Sequence, residues 1–254
     1  MSDEARIFRV ARMDCRVRPY DWPFARERAD EIAAHWEKLV SEKPALYDGR
    51  VLLCRDLALT EGEGGALRAT YFETSFSVFI AWRDFGFPDK AVRNCFSMAA
   101  LRSADGAFLL GEMGAHTANA GQVYFPAGTP DLSDVRGEAV DLAASVAREL
   151  WEETGIDIAE ARADPHWTIV ALGPRVACMR PLHLPAGADA IVRRVEAMLA
   201  AEAEPELARL RAVRSLTDLA GVRAPDFIHA YLAHEFGSKH ASGGPCLADE
   251  FYPG

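Results

Sequence analysis

One segment in the middle of the chain constrains the fold more than any other. Residues Asp141–Thr154 carry apolar side chains at helical spacing, and Gly155 follows where a helix commonly ends. At about 100° per residue, Val146 and Leu150 lie on one face of this helix. The opposite face carries Glu149, Glu152 and Glu153. The pattern predicts an amphipathic helix that packs on a core through its apolar face.

The three glutamates stand where helix electrostatics disfavours them. Glu149 is three and four residues before Glu152 and Glu153, so like charges converge at a cost of about 0.2–0.5 kcal/mol per pair. The last turn of a helix also disfavours anions, and Arg148 offsets part of this repulsion. One interpretation is a solvated acidic face. The other is a site for Mg²⁺ or Mn²⁺, because these cations prefer oxygen ligands.

The 254 residues are enough for one large domain or two modest ones. Residues 1–92 predict a small N-terminal α+β extension, with a strand over Ile7–Val17 and a helix over Trp22–Val40. The segments RVLLCRDLAL and ALRATYFETS then predict a hairpin. FSVFIAW, which follows, is compatible with a helix or a strand.

A second domain is predicted over residues 93–254. It begins with a hairpin that turns at Gly106, a residue suited to a positive φ. HWTIVALG and RVACMRPLHL predict two further strands. Two more helices are expected over Asp189–Ala203 and Asp226–Phe236, and the residues after Gly237 are expected to form a loop.

Composition and charge limit the kinds of binding partner and the cellular compartment that are expected. The formal net charge of −10 repels phosphate backbones, which argues against nucleic acid as a bulk partner. No run of 18 apolar residues predicts a membrane span, and the N-terminus lacks the pattern of a secretory signal. Five scattered cysteines without metal-ligand spacing predict free thiols in a reducing cytoplasm.

The acidic helix and the loop before it resemble the Nudix box, G-x5-E-x7-R-E-U-x-E-E-x-G-U, where U is aliphatic. Residues Arg148–Ile156 match its second half position by position. Gly128 and Asp134 match G-x5-E, with aspartate in place of glutamate. Thirteen residues rather than seven then separate Asp134 from Arg148, and VRGEAVD carries most of the six-residue insertion. The other candidates for the loop acid are Asp131, Glu138 and Asp141.

The resemblance implies the α/β (α+β) class: a Nudix α/β/α sandwich with a small N-terminal extension. It implies metal-dependent hydrolysis of a nucleoside diphosphate linked to another moiety. Mg²⁺ or Mn²⁺ would be held by Glu149, Glu152, Glu153 and Asp134. Glu152, or else Glu153, would act as general base. Arg148 would orient a carboxylate, and Gly128 would shape the loop because it lacks a Cβ.

The substrate is expected to be a nucleotide sugar such as UDP-glucose. PALYDGRVLL, TYFETSF and the FPAG loop are similar to segments of UDP-sugar-hydrolysing Nudix enzymes with an N-terminal extension. The alternatives are an ADP-ribose pyrophosphatase and a non-catalytic Nudix-fold sensor, and the resemblance also implies a homodimer. Several side chains are candidates for substrate contacts, with surface or core roles as the alternative: Arg102, Arg175 and Arg180 for the diphosphate, Tyr124, Phe125 and Trp167 for a base, and His116 facing the cleft.

Overall fold

The computed structural model describes residues 4–60, 62 and 64–237. The strands within these residues are β1 (Arg6–Val10), β2 (Arg12–Val17), β3 (Arg50–Thr60), β4 (Ala66–Ser75), β5 (Asn94–Arg102), β6 (Phe108–Met113), β7 (Val123–Tyr124), β8 (Ala127–Gly128), β9 (Val135–Arg136), β10 (Ala139–Val140), β11 (Arg162–Ala163), β12 (Trp167–Leu172), β13 (Arg175–His183) and β14 (Leu207–Val213). The α-helices are α1 (Pro23–Glu27), α2 (Ala29–Glu42), α3 (Phe76–Asp84), α4 (Leu142–Thr154), α5 (Ala188–Leu199) and α6 (Asp226–Gly237).

A large mixed sheet forms the centre of the molecule. Its path is β1-β12-β13-β5-β6-β14, with β11, β7 and β8 paired to β13, β6 and β5. The pairing of β13 with β5 is parallel, and the other pairings in this sheet are antiparallel. Helix α4 contacts β5 and β8, α5 contacts β14, and α6 contacts β12. Helices therefore cover a mixed sheet, and the predicted α/β class is confirmed.

A smaller sheet has the order β3-β4-β2-β10-β9. The single strand predicted over Ile7–Val17 is broken at Ala11, whose N–H donates to the carbonyl of Gly65 at 2.8 Å. The half before the break, β1, pairs with β12 in the large sheet, and the half after it, β2, pairs with β4 in the small sheet. One short bend thus links the two sheets.

The small sheet is buried on both faces, which explains the continuous apolar run in β3. Leu52 and Cys54 point into the main core, which they share with the large sheet. Val51 and Leu53, on the other face, pack in a second core with Phe72 and side chains of helices α1, α2 and α3. A strand covered on two faces loses the alternation of apolar and polar residues that marks a half-exposed strand.

The segment FSVFIAW is a helix, α3. Ser75 caps it by accepting a hydrogen bond from the N–H of Val78 at 3.4 Å. Asp48 accepts hydrogen bonds from the N–H and hydroxyl of Ser77 at 2.7 and 2.9 Å. These acceptors satisfy donors of the first turn, and they fix the start of the helix.

Strand pairing crosses the boundary predicted at residue 92. Strand β1 pairs with β12, and β10 pairs with β2, so each sheet takes strands from both predicted domains. The division into residues 1–92 and 93–254 stays a prediction. We use the term small-sheet unit for strands β2–β4 with helices α1–α3.

Strand β14 was not expected from the sequence. Its buried side chains, Leu207, Leu210 and Val213, are three residues apart. A register shift between Leu207 and Arg209 interrupts the pairing with β6 and accounts for the spacing from Leu207 to Leu210. Leu210 and Val213 are in regular register and face opposite sides of the sheet, so the three buried positions have a spacing that looks helical. The predicted hairpin at Gly106 (φ 84°) and the predicted helices near α2, α5 and α6 are present.

Cys15, Cys54, Cys95 and Cys178 are buried free thiols, as predicted, and Cys246 lies outside the described residues. Among the helices of the described residues, none has the length and apolar character needed to cross a bilayer. The loop expected after Gly237 also lies outside the described residues.

Candidate active site

Helix α4 carries the acidic residues, and its ends are fixed by the residues expected there. Asp141 caps the start, where its Oδ1 accepts hydrogen bonds from the N–H groups of Ala143 and Ala144 at 3.1 and 3.0 Å. Gly155 ends the helix with a φ of 63°, a conformation that favours glycine. Val146 and Leu150 are buried in the main core. The helix therefore turns its other face, with the glutamates, away from its apolar contact.

The six extra residues before α4 form a small hairpin, β9–β10, which turns at Gly137 (φ 63°). At its base, the N–H of Asp141 donates to the carbonyl of Asp134 at 2.8 Å. Residues 135–140 thus form a hairpin whose two ends lie next to each other. When they are set aside, seven residues (141–147) separate Asp134 from Arg148, which is the spacing of the Nudix pattern.

The inserted hairpin docks on the small-sheet unit. Ala139 lies opposite Arg16 of β2, and the N–H of Val17 donates to the carbonyl of Glu138 at 2.8 Å. An exposed ion pair joins Arg18 to Glu138 at 2.6 Å. The insertion therefore extends the small sheet and links it to the loop that precedes the acidic helix.

Arg148 lies at the centre of the acidic cluster. Its guanidinium contacts Asp134 at 3.0 Å, Glu149 at 2.8 Å and Glu152 at 3.3 Å. The Asp134 residue is only 1% exposed, and its Oδ2 also accepts a hydrogen bond from the N–H of Asp131 at 3.1 Å. Arg148 thus neutralises part of the charge and joins the loop to the helix.

The three competing loop acids have other partners. Asp131 accepts a hydrogen bond from the N–H of Ser133 at 2.6 Å and so caps the short turn over Leu132–Asp134. Glu138 pairs with Arg18, and Asp141 caps α4. Among these four residues, Asp134 is the one whose side chain contacts Arg148, and it is also the residue that follows Gly128 at the G-x5-E spacing.

Glu153 and Glu149 are carboxylates in a buried setting. Glu153 is 2% exposed; its Oε1 accepts a hydrogen bond from the N–H of Ala127 at 3.1 Å, and its Oε2 has no partner in the described part of the chain. Burial raises the pKa of Glu153 well above its ordinary value, and negative charge on Glu206 adds to the effect. Burial also raises the pKa of Glu149 to about 7, against the opposing effect of Arg148.

Gly128 lies directly against Glu149. A Cβ at Gly128 would be 2.0 Å from Oε1 of Glu149, much closer than atoms can approach. A larger residue would therefore push this carboxylate out of place. The absence of a Cβ matters here through contact with the acid as well as through the shape of the loop.

Glu206 joins the acidic cluster and was missed in the sequence. It lies directly before β14, and its carbonyl accepts a hydrogen bond from the N–H of Gly114 at 2.7 Å. Burial raises the pKa of its side chain, while the nearby His116 lowers it. The signal that would have found Glu206 is an acidic residue at the start of a strand of the central sheet, but that strand was not recognised.

A cavity of about 620 Å³ opens beside the cluster. Glu149, Glu206 and Gly128 line one part of it. The volume is in the range of small-molecule sites. Other lining residues come from helix α3, the loop before β7, strand β5 and the start of α6: Phe76, Phe79, Ile80, Arg83, Thr117, Asn119, Gln122, Asn94, Phe96, Pro225 and Phe227.

The arginines predicted to contact substrate lie in different places. Arg175 lines the cavity, its Nε is buried without a hydrogen-bond partner among the described residues, and its guanidinium is 5.9 Å from the centre of the Phe87 ring. Arg102 is at the opposite end of the strands: Arg175 pairs in register with Asn94, and Arg102 pairs with His183. Eight residues at about 3.3 Å each place Arg102 roughly 26 Å away, so the structure does not bring it to the site.

The aromatic side chains that were candidates for substrate contacts also lie in different places, some at the cavity and some in the core. Tyr124 lines the cavity, and His116 is in the adjoining loop near Glu206. Phe125 is fully buried against Phe108 and Tyr231. Trp167 is buried under the guanidinium of Arg180, at 5.1 Å. Phe125 and Trp167 therefore pack in the core, which was the alternative for each, and Arg180 is half-buried over the Trp167 ring.

Within residues 4–60, 62 and 64–237, no three His, Cys, Asp or Glu side chains are already grouped to hold a metal ion. Arg148 accounts for this, because its guanidinium occupies the space between Asp134, Glu149 and Glu152. The donor set nevertheless suits Mg²⁺ or Mn²⁺, since it consists of carboxylate oxygens. The unpartnered Oε2 of the buried Glu153 is the atom that most needs a cation.

No family model matches the chain, and no curated protein matches it. Solved structures that are similar include a Nudix hydrolase from M. smegmatis, RenU, with 14% identity over 62% of this chain and 91% of that one and a TM-score of 0.40. MutT protein from Methanosarcina mazei Go1 has 20% identity over 59% and 96%, with a TM-score of 0.36. An Ap4A hydrolase of C. elegans has 15% identity over 58% and 99%, with a TM-score of 0.39.

These similarities are too low to carry an argument about function, which depends on the residues of this chain. The helix half of the box is present in full, and the loop acid reaches the box arginine at 3.0 Å once the inserted hairpin is set aside. The residues of the candidate site thus match the box pattern in type and, with the hairpin set aside, in spacing.

Proposed function

We propose that the protein is a Nudix-type pyrophosphohydrolase, which cleaves a nucleoside diphosphate linked to another moiety in the presence of Mg²⁺ or Mn²⁺. The observation that carries the proposal is the contact of Arg148 with Asp134. It re-forms the box spacing across the insertion, and Glu149, Glu152 and Glu153 are all present beside it. A sensor that has lost catalysis has no need to keep this whole set.

The reaction is the addition of water across the diphosphate. A water oxygen forms a bond to one phosphorus, the bridging P–O bond breaks, and the products are a nucleoside monophosphate and a phosphate ester of the other moiety. The bound cation would supply charge neutralisation and a lowered pKa for the attacking water. A base of the protein must accept a proton from this water.

The acidic residues divide this work according to their surroundings. Glu149, Glu152 and Glu153 would hold the cation, supported by the unpartnered Oε2 of Glu153. Glu152 is our first choice as general base, because its side chain is 55% exposed and a 3.3 Å contact to Arg148 leaves it free to turn; Glu153 is the second. The contacts of Asp134 favour a positioning role through Arg148 over direct binding of the cation.

Arg175 is proposed to bind the diphosphate. It lines the cavity, and its buried Nε has no hydrogen-bond partner among the described residues. A half-buried guanidinium whose Nε lacks an acceptor would gain one from a negatively charged ligand. Asn94, beside Arg175 in the sheet, approaches Thr129 at 3.5 Å, and Thr129 follows Gly128 in the loop against Glu149. Arg175 is thus next to the acidic end of the cavity.

The test is a substrate panel with the purified full chain in Mg²⁺ and in Mn²⁺. UDP-glucose is the first substrate we propose, and release of UMP with glucose 1-phosphate, measured by ion-exchange chromatography, is the expected result. Activity on ADP-ribose with none on UDP-glucose would replace that substrate assignment with an ADP-ribose pyrophosphatase. A protein inert to all diphosphates with both metals would overturn the enzyme proposal in favour of a sensor. A cytoplasmic location and a homodimer remain part of the proposal.

A further inference from the structure

The cavity has a second part, made largely by the small-sheet unit. Phe76, Phe79, Ile80 and Arg83 of helix α3 line it, together with Val51 of β3. None of these residues belongs to the box or to the large sheet. The extension thus supplies a wall of the same cavity that Glu149 and Glu206 enter.

This wall is held firmly before any ligand binds. Trp82, on the buried side of α3, is fully buried and packs edge-on against Trp22 and Phe87, with ring centres 5.8 and 4.7 Å apart. Asp48 and Ser75 fix the first turn of the helix. A ligand that binds here need not organise the helix, so little of its binding free energy is lost to ordering.

The facing wall is aromatic as well. Phe96 of β5 and Phe227 of α6 line the cavity and pack edge-to-face at 5.5 Å. The amides of Asn119 and Gln122 enter from the loop before β7. Apolar rings with amide groups nearby suit a flat heterocycle, since its faces stack on the rings and its edges accept and donate hydrogen bonds.

The small-sheet unit also holds the loop that carries Asn119. Lys43, just after α2, donates to the carbonyl of Thr117 at 2.7 Å, and Nη1 of Arg83 donates to Oδ1 of Asn119 at 3.4 Å. The side-chain amide of Asn119 donates to the hydroxyl of Tyr124 at 3.1 Å. Arg83 and Asn119 are therefore positioned together at the edge of the cavity.

One nitrogen of the Arg83 guanidinium is left to donate to a ligand. Its Nε bonds to Asp84 at 2.8 Å and its Nη1 reaches Asn119, while its Nη2 has no hydrogen bond within the described part of the chain. A guanidinium donates hydrogen bonds and cannot accept them. It therefore favours a base edge with a carbonyl oxygen, as in uracil or guanine, over the edge of adenine that carries an amino group, because that amino group is itself a donor.

Resting on the proposed function, we infer that the α3 end of the cavity binds the nucleobase of the substrate. Arg83 is the specificity-determining residue, which donates from Nη2 to a carbonyl oxygen of the base. The extension thereby selects the nucleoside, while the box residues carry out the hydrolysis.

The test measures binding by titration calorimetry, with the full chain, without metal and without turnover. The probes are UMP, GMP, AMP and inorganic phosphate. We expect UMP or GMP to bind at least about tenfold more tightly than AMP, since one charged hydrogen bond has about that effect. Arg83→Met should remove this preference and leave the affinity for inorganic phosphate unchanged. Arg68→Met, at an exposed position of strand β4 in the same unit, is the matched control and should bind as the unchanged protein does.

Equal loss of affinity for phosphate and for all three nucleotides in Arg83→Met would assign Arg83 to a phosphate and overturn the inference. Equal affinity for AMP, UMP and GMP in the unchanged protein would also overturn it. Should Arg83→Met melt early, Arg83→Lys, which keeps the charge but loses the forked donors, must lower the preference for UMP or GMP. Base preference without hydrolysis would refute the proposed function alone, and hydrolysis without base preference would refute the subsite alone.

Discussion

The two ends of the cavity differ in charge and in origin. The acidic end comes from α4 and from Glu206 at the edge of the large sheet, and its carboxylates are crowded and partly unpartnered. The other end comes from α3 of the small-sheet unit, and it is aromatic with Arg83 at its edge. Under the two proposals, bond cleavage and recognition of the nucleoside would be carried out by separate parts of the chain. Each should then respond separately to mutation.

Glu153→Gln should have the largest effect, and this effect should be confined to the acidic end of the cavity. The amide cannot compensate a cation, so kcat should fall by about 10²-fold or more, the range for loss of one charge-stabilising group in an active site. Binding of UMP, measured by calorimetry without metal, should not change. Glu235→Gln on α6, outside the cavity, is the control. A loss of UMP affinity in Glu153→Gln as large as the loss of kcat would mean that the two ends of the cavity do not act separately.

Asp134→Asn should have a smaller effect, because Asp134 acts through Arg148. Without this partner, Arg148 should hold Glu149 and Glu152 more tightly and weaken their affinity for the cation by about 10–100-fold. The Mg²⁺ concentration for half-maximal rate should rise accordingly, while kcat at saturating Mg²⁺ changes less. Asp131→Asn, which removes a negative charge from the same turn, keeps the cap and makes no hydrogen bond to Arg148, serves as the control. An unchanged Mg²⁺ requirement in Asp134→Asn would refute the positioning role.

Removal of residues 135–140 should have the smallest effect on activity. Asp134 and Asp141 are already joined by a hydrogen bond, so the shortened chain keeps Arg148 beside Asp134, and we expect rates within about threefold. The free energy of unfolding should fall by about 2–4 kcal/mol through loss of the buried Val140 and of backbone hydrogen bonds to β2, as measured by urea denaturation. Loss of activity with an intact fold would show that the hairpin takes part in the site.

The helix half of the site could be predicted because its determinants are local. The 3.6-residue period, Asp141 at the start and Gly155 at the end all lie within one segment. The loop acid was predicted at Asp134 with three competitors, since the choice depends on a hydrogen bond that closes the hairpin across six residues. The sequence pattern has no local signal for such a closure.

Long-range features account for what was not predicted. Glu206 was missed because a bulge in β14 disguised the strand that positions it. Arg102 and Arg175 are both arginines at strand ends. The parallel register of β5 and β13 places them at opposite ends of these neighbouring strands. The proposed role of the small-sheet unit depends on helix α3 lining a cavity whose residues outside this unit are spread along the chain from Asn94 to Phe227. Such contacts are set by tertiary packing and have no local determinant.

The closed base of the β9–β10 hairpin makes the chain tolerant of length at this point. Because the N–H of Asp141 donates to the carbonyl of Asp134 at the base of the hairpin, we expect residues added at Gly137 to leave Asp134 and Asp141 in place. The same position would accept a fluorophore-binding peptide or an affinity tag, as a handle that reports on the loop without entering the cavity. A sequence search that requires seven residues between the loop acid and the arginine would miss such a chain. Asp134 and Arg148 are nevertheless in contact, as they would be with a shorter loop.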